Sequence, residues 1–140
     1  MPIALLVTEG VLSEDAQQQA FAEITNAFLK HHDLVGNSFL TPNVIGEVSE
    51  IPRGKSFAAG KPAEIAIVEL KVPSFALATP EQKQGFVADA TDAVERASQG
   101  RLPRDRIWVN MTYAVDGLWG IRGEAYPNQR LLESVSAATA

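Results

Sequence analysis

The sequence predicts an α+β fold in which tandem βαβ repeats form one four-stranded mixed sheet with two helices on one face. The first observation is that a strand-like run, a capped amphipathic helix and another strand occur twice within 140 residues. The second is that "PIALLVTE" aligns with "PAEIAIVE" at one offset, which places Pro2 on Pro62 and Glu9 on Glu69. Because each βαβ crossover is right-handed and joins parallel strands, a pseudo-two-fold places the two first strands side by side and antiparallel.

The first βαβ unit is predicted over residues 2–52. The apolar run "IALLVT" that begins at Ile3 has the composition of a β-strand. Ser13 is placed to cap a helix, which we expect to end near His31–His32. The apolar stripe of this helix consists of Ala16, Ala20, Ile24, Ala27 and Phe28. Residues 43–51 then predict the second strand, with a possible bulge at Gly46.

The second unit is predicted over residues 62–116. Residues 64–70, "EIAIVEL", predict its first strand. Thr79 and Gln82 have the spacing of a capping box, with a proline between them at the first helical position. The apolar positions of this helix are Phe86, Val87, Ala90, Val94 and Ala97. Residues 106–113, "RIWVNMTY", predict the last strand of the sheet.

Glycine- and proline-rich segments follow the second strand of each unit. Residues 52–62 predict a loop or hairpin, and residues 117–127 predict another glycine-containing turn. We expect residues 129–140 to be a frayed or peripheral C-terminal tail. The predicted organisation is therefore a single domain over residues 1–128, followed by this tail.

The first strands of both units are apolar at nearly every position rather than at alternate positions. That pattern indicates burial on both faces of the sheet. Two helices cover only one face of four strands, and the chain has no further predicted element for the other. We therefore expect an obligate oligomer, a homotrimer in which sister chains cover the second face.

Composition excludes several classes of function. The net charge of −5 provides no basic surface for nucleic acid, and no apolar stretch is long enough to span a membrane. The chain has no cysteine, and no metal-ligand cluster or phosphate-binding glycine loop is evident, so we expect neither a metal nor a cofactor. The N-terminus lacks the basic region of a signal peptide, which makes a cytoplasmic location the expectation.

Pro2 directly follows the initiator methionine and has two interpretations. Proline is ordinary at the first position of a strand, where its missing N–H is not needed. If Met1 is removed, however, Pro2 carries a secondary amine at the chain terminus. An α-amino group titrates near about 8 in water, and desolvation disfavours its charged form. Such an amine in an apolar pocket is neutral near pH 7 and can act as a general base.

Three polar residues are candidates for substrate binding, and each also has a structural interpretation. Lys71 follows the third strand, where it either contacts the region of Pro2 or is a solvated strand-end lysine. Arg122 lies between glycines near Trp119, and it either binds a carboxylate or stacks on that tryptophan at the surface. Asn110 either donates a hydrogen bond to an enolate oxygen or is a satisfied sheet residue.

The proline start, the tandem βαβ units and a sheet that requires partner subunits resemble the tautomerase superfamily. Residues 54–62 ("GKSFAAGKP"), 106–112 ("RIWVNMT") and 118–127 ("LWGIRGEAYP") are most similar to its fused, trimeric group, which contains cis-chloroacrylic acid dehalogenase. This resemblance implies a hydrophobic pocket at the proline, lined by cations that hold a carboxylate or carbonyl oxygen. It also implies that the proline is the general base in keto–enol tautomerisation.

The chain departs from the dehalogenase pattern at four positions. The resemblance places Phe28 where that enzyme has a histidine, and Lys71 where it has paired arginines. Asn110 and Leu118 take the places of its tyrosine and its catalytic glutamate. These differences argue against dehalogenation, whereas tautomerisation requires only the amine and a group that holds the oxyanion.

We therefore predict a keto–enol tautomerase that acts on a small 2-keto or enol carboxylate, with Pro2 as general base or acid and Lys71, Arg122 and Asn110 binding substrate. One alternative is a catalytically silent trimeric binding or scaffold protein of the same fold. Others are a hydratase- or dehalogenase-type variant and a ferredoxin-like ligand-binding domain, in which crossover partners are not adjacent in the sheet.

Overall fold

The computed structural model describes residues 1–139 and contains a central four-stranded sheet. Its strands are β1 Pro2–Thr8, β2 Ile45–Ile51, β5 Ala66–Val72 and β6 Ile107–Tyr113. Two hairpins are formed by β3 Phe57–Ala58 with β4 Lys61–Pro62 and by β7 Trp119–Ile121 with β8 Glu124–Tyr126. The helices are α1 Glu14–Lys30, α2 Pro80–Ala97 and α3 Asn128–Ala137.

The strand order β2-β1-β5-β6 confirms the predicted mixed sheet. The β1–β2 and β5–β6 pairs are parallel, and the central β1–β5 pair is antiparallel. Crossover partners are therefore adjacent, which excludes the ferredoxin-like alternative. Both predicted helix starts are confirmed: Ser13 accepts a hydrogen bond from the Ala16 N–H, and Thr79 and Gln82 form a reciprocal capping box.

The core lies between the sheet and the helices α1 and α2. Alternate residues of the central strands are buried on this side, and the helices contribute their apolar stripes. The main contacts come from Ile3, Leu5, Val7, Val68, Leu70, Ile24, Phe28 and Phe86. Each such side chain contributes about 1.5–3 kcal/mol by its burial, so this face fixes the position of β1 and of its first residue.

The other sheet face, which we call the open face, is only partly covered within one chain. Leu6 and Ile67 are half-buried at its centre, whereas Ile45 and Trp108 at its edges remain 60% and 68% exposed. An exposed apolar sheet surface of this kind marks an interaction site. Both faces of the central strands are apolar, but within a single chain the helices cover only one of them.

The repeat is real at the level of elements, but the residue alignment that matched Pro2 with Pro62 is wrong. Pro62 lies in β4, and β5 begins only at Ala66. The core-facing residues are odd-numbered in β1 and even-numbered in β5. The alignment shifts residue numbers by 60, which is even, so it matches the core-facing, odd-numbered residues of β1 with odd-numbered residues of β5, which lie on the opposite face of the sheet.

Gly46 does not form a bulge. The β1–β2 ladder runs without interruption from Pro2 opposite Ile45 to Thr8 opposite Ile51. Gly46 instead permits a close approach, because a Cβ there would lie 1.8 Å from the Ile3 carbonyl oxygen and 2.7 Å from Phe21 Cζ.

The C-terminal segment differs from the frayed or peripheral tail that we expected. Residues 128–137 form α3, which buries Leu131 and Val135. Asn37 ties the helix to the α1–β2 connection, because its side-chain amide donates to the Val135 carbonyl at 3.0 Å. Spacing of four residues between the two apolar side chains is the helical signal in this segment.

Candidate active site

Pro2 lies where three strands of the sheet meet. It pairs with Ile45 of β2, and because Ile3 is opposite Leu70, the next residues along the ladder, Pro2 and Lys71, face each other. Pro2 and Lys71 line the same depression of about 460 Å³ on the open face, together with Glu47 and Glu69. The sheet thus brings one predicted cation next to the predicted base.

Lys71 is exposed at this position and is available to an anion. None of the ion pairs formed within residues 1–139 includes it. The carboxylates of Glu47 and Glu69 line the same depression, so a bound carboxylate would have to lie closer to Lys71 than to either of them. The antiparallel β1–β5 register is what delivers the lysine to the start of β1.

Met1 extends the β1–β2 ladder by one residue beyond Pro2. The Ile45 N–H donates to the Met1 carbonyl at 3.2 Å, and the Met1 amino group donates to the Asn43 carbonyl. Burial lowers the pKa of this amino group from 8.0 to about 6. The surroundings of the Met1 amino group therefore favour its neutral form, whereas the Pro2 side chain is exposed.

The Met1 side chain is half-buried between two apolar clusters. It packs against the main core and also against a second cluster made of Trp119, Tyr126 and Leu131. We call the space that Met1 fills, between Asn43, Ile45 and this second cluster, the Met1 chamber. Pro2 is bonded to Met1, which fills this chamber, and Pro2 also lines the depression on the open face.

The second cluster is built by the β7–β8 hairpin and α3. Trp119 pairs with Tyr126 across the hairpin, and Leu131 of α3 is 1% exposed beneath them. Arg130 stacks on the Tyr126 ring at 4.1 Å from its centroid. Sequence reasoning missed this wall of the site because it predicted residues 117–127 only as a turn and residues 129–140 as a peripheral tail.

Arg122 and Asn110 are not brought to Pro2 within one chain. Arg122 is exposed at the tip of the β7–β8 hairpin, in a turn with φ of 54°. The arginine that stacks on an aromatic ring of this hairpin is Arg130 of α3, which lies over Tyr126. Asn110 is exposed and pairs with Glu69 on the open face. Neither residue lines the depression that contains Pro2.

The two histidines at the end of α1 serve helix contacts. His31 Nε2 bonds Asp89 of α2 at 2.8 Å. His32 Nδ1 lies 2.7 Å from the Phe28 carbonyl, and His32 Nε2 accepts from the Leu77 N–H at 2.8 Å. These bonds fix a neutral ring, in agreement with the lowered pKa that burial gives His32. Across residues 1–139 there is no group of three or more side chains suited to bind a metal ion.

The helices of residues 1–139 are all too short or too polar to cross a bilayer. No protein-family model and no curated protein sequence matches this chain. Solved structures, in contrast, match it over nearly its whole length, and three of them illustrate the similarity.

The structure of Pt0534 inactivated by 2-oxo-3-pentynoate superposes with a TM-score of 0.74 at 16% identity, covering 94% of this chain and 98% of that one. A fused 4-OT crystallised as a symmetric trimer gives 0.74 at 14% identity, covering 90% and 95%. N1, a member of the cis-3-chloroacrylic acid dehalogenase family, gives 0.72 at 18% identity, covering 97% and 99%.

These identities are low, so the similarity concerns the arrangement of the backbone rather than particular side chains. It extends over at least nine-tenths of each chain in the three comparisons. The chain has the fold of the tautomerase superfamily, in the tandem arrangement of its fused 4-OT and cis-3-chloroacrylic acid dehalogenase members.

Proposed function

We propose that this protein is a tautomerase-type enzyme in which Pro2, released by removal of Met1, is the general base on a small 2-keto or enol carboxylate. The observation that supports this proposal most directly is the antiparallel β1–β5 register, which places the cation of Lys71 next to Pro2 in one depression of the open face. The fold supports it independently, because relatives of this architecture include fused 4-OT enzymes.

The direction of the Pro2 lone pair follows from the covalent geometry. Once Met1 is removed, the Pro2 nitrogen becomes a pyramidal secondary amine, whose lone pair and N–H occupy the side of the ring to which Met1 was bonded. The pyrrolidine ring restricts rotation of the chain at this nitrogen. A substrate in the chamber therefore meets a base that is already oriented, which reduces the entropy lost on reaching the transition state.

The proton transfer runs in two balanced steps. Neutral Pro2 removes the hydroxyl proton of the enol, and negative charge spreads over the oxygen and the carbon of the resulting enolate. Protonated Pro2 then returns that proton to the carbon, which forms the ketone and restores the neutral amine. The Ile45 N–H loses its Met1 partner on excision, so it supplies a backbone donor for the enolate oxygen.

Lys71 is the proposed holder of the substrate carboxylate. It lines the depression beside Pro2, and its positive charge also disfavours protonation of the neighbouring amine. We also propose Arg122 and Asn110 as substrate-binding residues, but for the active site of another copy of the chain. In a trimer these exposed residues would reach the Pro2 region of a neighbouring copy rather than that of their own chain.

We further propose that the functional unit is a homotrimer. The open face carries half-buried Leu6 and Ile67 at its centre and exposed Ile45 and Trp108 at its edges. Related proteins of this fold crystallised as symmetric and asymmetric trimers. Burying such a face between sister chains removes apolar surface from water at about 25 cal/mol per Å².

The experiment compares three proteins in enol–keto assays with phenylenolpyruvate and 2-hydroxymuconate: the wild type, Pro2→Ala and Pro62→Ala. Pro62 is the matched control because it is an exposed, in-chain proline of the β3–β4 hairpin. Intact mass first establishes whether Met1 has been removed. Pro2→Ala should reduce kcat/KM by about 10² or more, and Pro62→Ala should leave it unchanged.

Equal rates for wild type and Pro2→Ala would contradict the assignment of the base. A second test uses 2-oxo-3-pentynoate, the compound that inactivates Pt0534. A neutral Pro2 amine should add across its triple bond, with the amine proton moving to carbon, so the protein gains the full mass of the reagent. The adduct should map to Pro2, and blocking Met1 removal by inserting Glu after Met1 should prevent it.

The alternative of a silent binding or scaffold protein has its own supporting observation. With Met1 retained, its amino group is bonded to Asn43 and its side chain fills the chamber. A native protein that keeps Met1 and fails to react with 2-oxo-3-pentynoate would support this alternative over the enzyme.

A further inference from the structure

Trp119 carries a buried hydrogen-bond donor without a partner. The residue is 8% exposed, and its indole Nε1 has no acceptor among residues 1–139. A buried indole N–H normally finds an acceptor, because leaving one unpaired costs free energy. In this chain the unpaired N–H therefore needs an explanation.

The apolar role of Trp119 does not explain the donor. Its cluster consists of Tyr126 and Leu131, with Met1, Phe39 and Phe75 packed against it. A phenylalanine could fill such surroundings without burying a polar atom. The β7–β8 hairpin, which pairs Trp119 with Tyr126, nevertheless fixes the indole in this place.

The position of Trp119 relates the donor to the candidate active site. Met1 packs against the same cluster and fills the chamber, and Pro2 is bonded to Met1. Removal of Met1 therefore opens space next to the cluster that contains Trp119. A ligand in this space would take the place of Met1, which bonds the Ile45 N–H and packs against the cluster that contains Trp119.

We propose that Trp119 is a substrate-binding residue whose indole N–H donates a hydrogen bond to an oxygen of a 2-oxo carboxylate held in the Met1 chamber. This inference rests on the proposed function, because it requires that Met1 be removed. The indole N–H is not deprotonated near neutral pH, and it can only donate a hydrogen bond. It therefore favours a substrate oxygen at every pH at which the enzyme works.

On this proposal, Trp119 and Lys71 bind different oxygens of the substrate. A 2-oxo carboxylate carries three oxygens; Lys71 lines the open-face depression with Pro2, whereas Trp119 belongs to the cluster against which Met1 packs. One group therefore holds each end of the small anion, with the reacting carbon next to the amine between them. A hydrogen bond from a neutral donor to a charged acceptor is worth about ten-fold to one-hundred-fold in affinity.

The test measures binding in a variant whose turnover is expected to be strongly reduced. Pro2→Ala protein, free of Met1 and labelled with ¹⁵N, is titrated with 2-oxobutanoate while the indole N–H resonances are recorded. The sequence has only two tryptophans, and Trp108→Phe assigns the spectrum. The Trp119 indole proton should move downfield and saturate, while the Trp108 resonance should move little.

The matched substitution is Trp119→Phe in the same background, which keeps an aromatic ring but removes the donor. It should weaken 2-oxobutanoate binding about ten-fold to one-hundred-fold. If this variant does not fold, the saturating shift in the intact protein still decides the question. A Trp119 resonance that does not move, or that already has a hydrogen-bonded shift in the ligand-free oligomer, would overturn the inference.

Failure of this inference and failure of the proposed function give different results. If Pro2→Ala abolishes turnover while Trp119→Phe binds 2-oxobutanoate normally, the tautomerase proposal stands and the role of Trp119 is refuted. If the Trp119 resonance responds and saturates while Pro2→Ala turns over like the wild type, the binding role stands and the general base is wrong.

Discussion

Gly46→Ala tests the close approach of β2 to β1 next to the Pro2 site. The new Cβ would lie 1.8 Å from the Ile3 carbonyl oxygen and 2.7 Å from Phe21 Cζ. Because the nearest of these atoms belongs to the backbone, no side-chain rotation relieves the clash. The two strands must separate at this point.

The size of the effect follows from what separation removes. Loss of two backbone hydrogen bonds costs about 2 kcal/mol at roughly 1 kcal/mol each, and displacement of the partly buried Phe21 ring adds about 1 kcal/mol. Replacing glycine in a strand returns about 0.5–1 kcal/mol. The net loss is therefore about 2 kcal/mol in the free energy of unfolding.

Urea denaturation at one fixed protomer concentration measures this loss, because the stability of an oligomer depends on concentration. With a slope of about 1–3 kcal/mol per molar urea, the midpoint should fall by about 1 M. Gly120→Ala is the control: it is also a strand glycine, and no atom lies within 4 Å of its added Cβ. Equal shifts for the two variants, or no shift for Gly46→Ala, would refute the reasoning.

Three further predictions concern helix packing, pH and assembly. Gly85→Ala places a Cβ 2.3 Å from the His31 ring, so it should destabilise the wild type in urea denaturation. In a His31→Ala background the clash is absent, and the same substitution should stabilise the protein by about 1 kcal/mol through the higher helix propensity of alanine. Loss of stability in both backgrounds would count against this contact. Because burial lowers the pKa of His32, the unfolded chain takes up its proton first, so stability should fall as pH drops from about 7 to 5, and His32→Gln should flatten that slope in urea titrations. If sister chains cover the open face as proposed, Leu6→Asp should lower the molar mass measured by light scattering relative to the wild type, whereas an unchanged oligomer would exclude sister chains from that surface.

The parts of the fold that depend on local signals could be predicted from the sequence. Ser13 and the Thr79–Gln82 pair mark helix starts by hydrogen bonds within one turn, and both were located correctly. The tandem βαβ repeat, with its pseudo-two-fold, placed β1 and β5 side by side and antiparallel at the centre of the sheet. Strand register was harder to predict, because the alignment of Pro2 with Pro62 was based on residue identity and ignored which face of the sheet each residue occupies.

The candidate site was only partly predictable for the same reason. Lys71 could be placed next to Pro2 because one antiparallel register brings them together. The wall formed by Trp119 and Leu131 required knowing that the C-terminal segment folds back as a helix. Contacts between residues so distant in sequence leave no periodic pattern, and the positions of Arg122 and Asn110 relative to Pro2 depend on how copies assemble.

The most direct test of the account is an NMR titration of the Pro2 nitrogen in native protein labelled with [¹³C,¹⁵N]proline. The chain has 8 prolines, and a nitrogen within a peptide bond does not titrate. The account predicts that one proline nitrogen titrates, with a midpoint well below the value of about 8 that is ordinary for an α-amino group. If no proline nitrogen titrates, or if the midpoint lies at or above that value, Pro2 is not the neutral base that the mechanism requires.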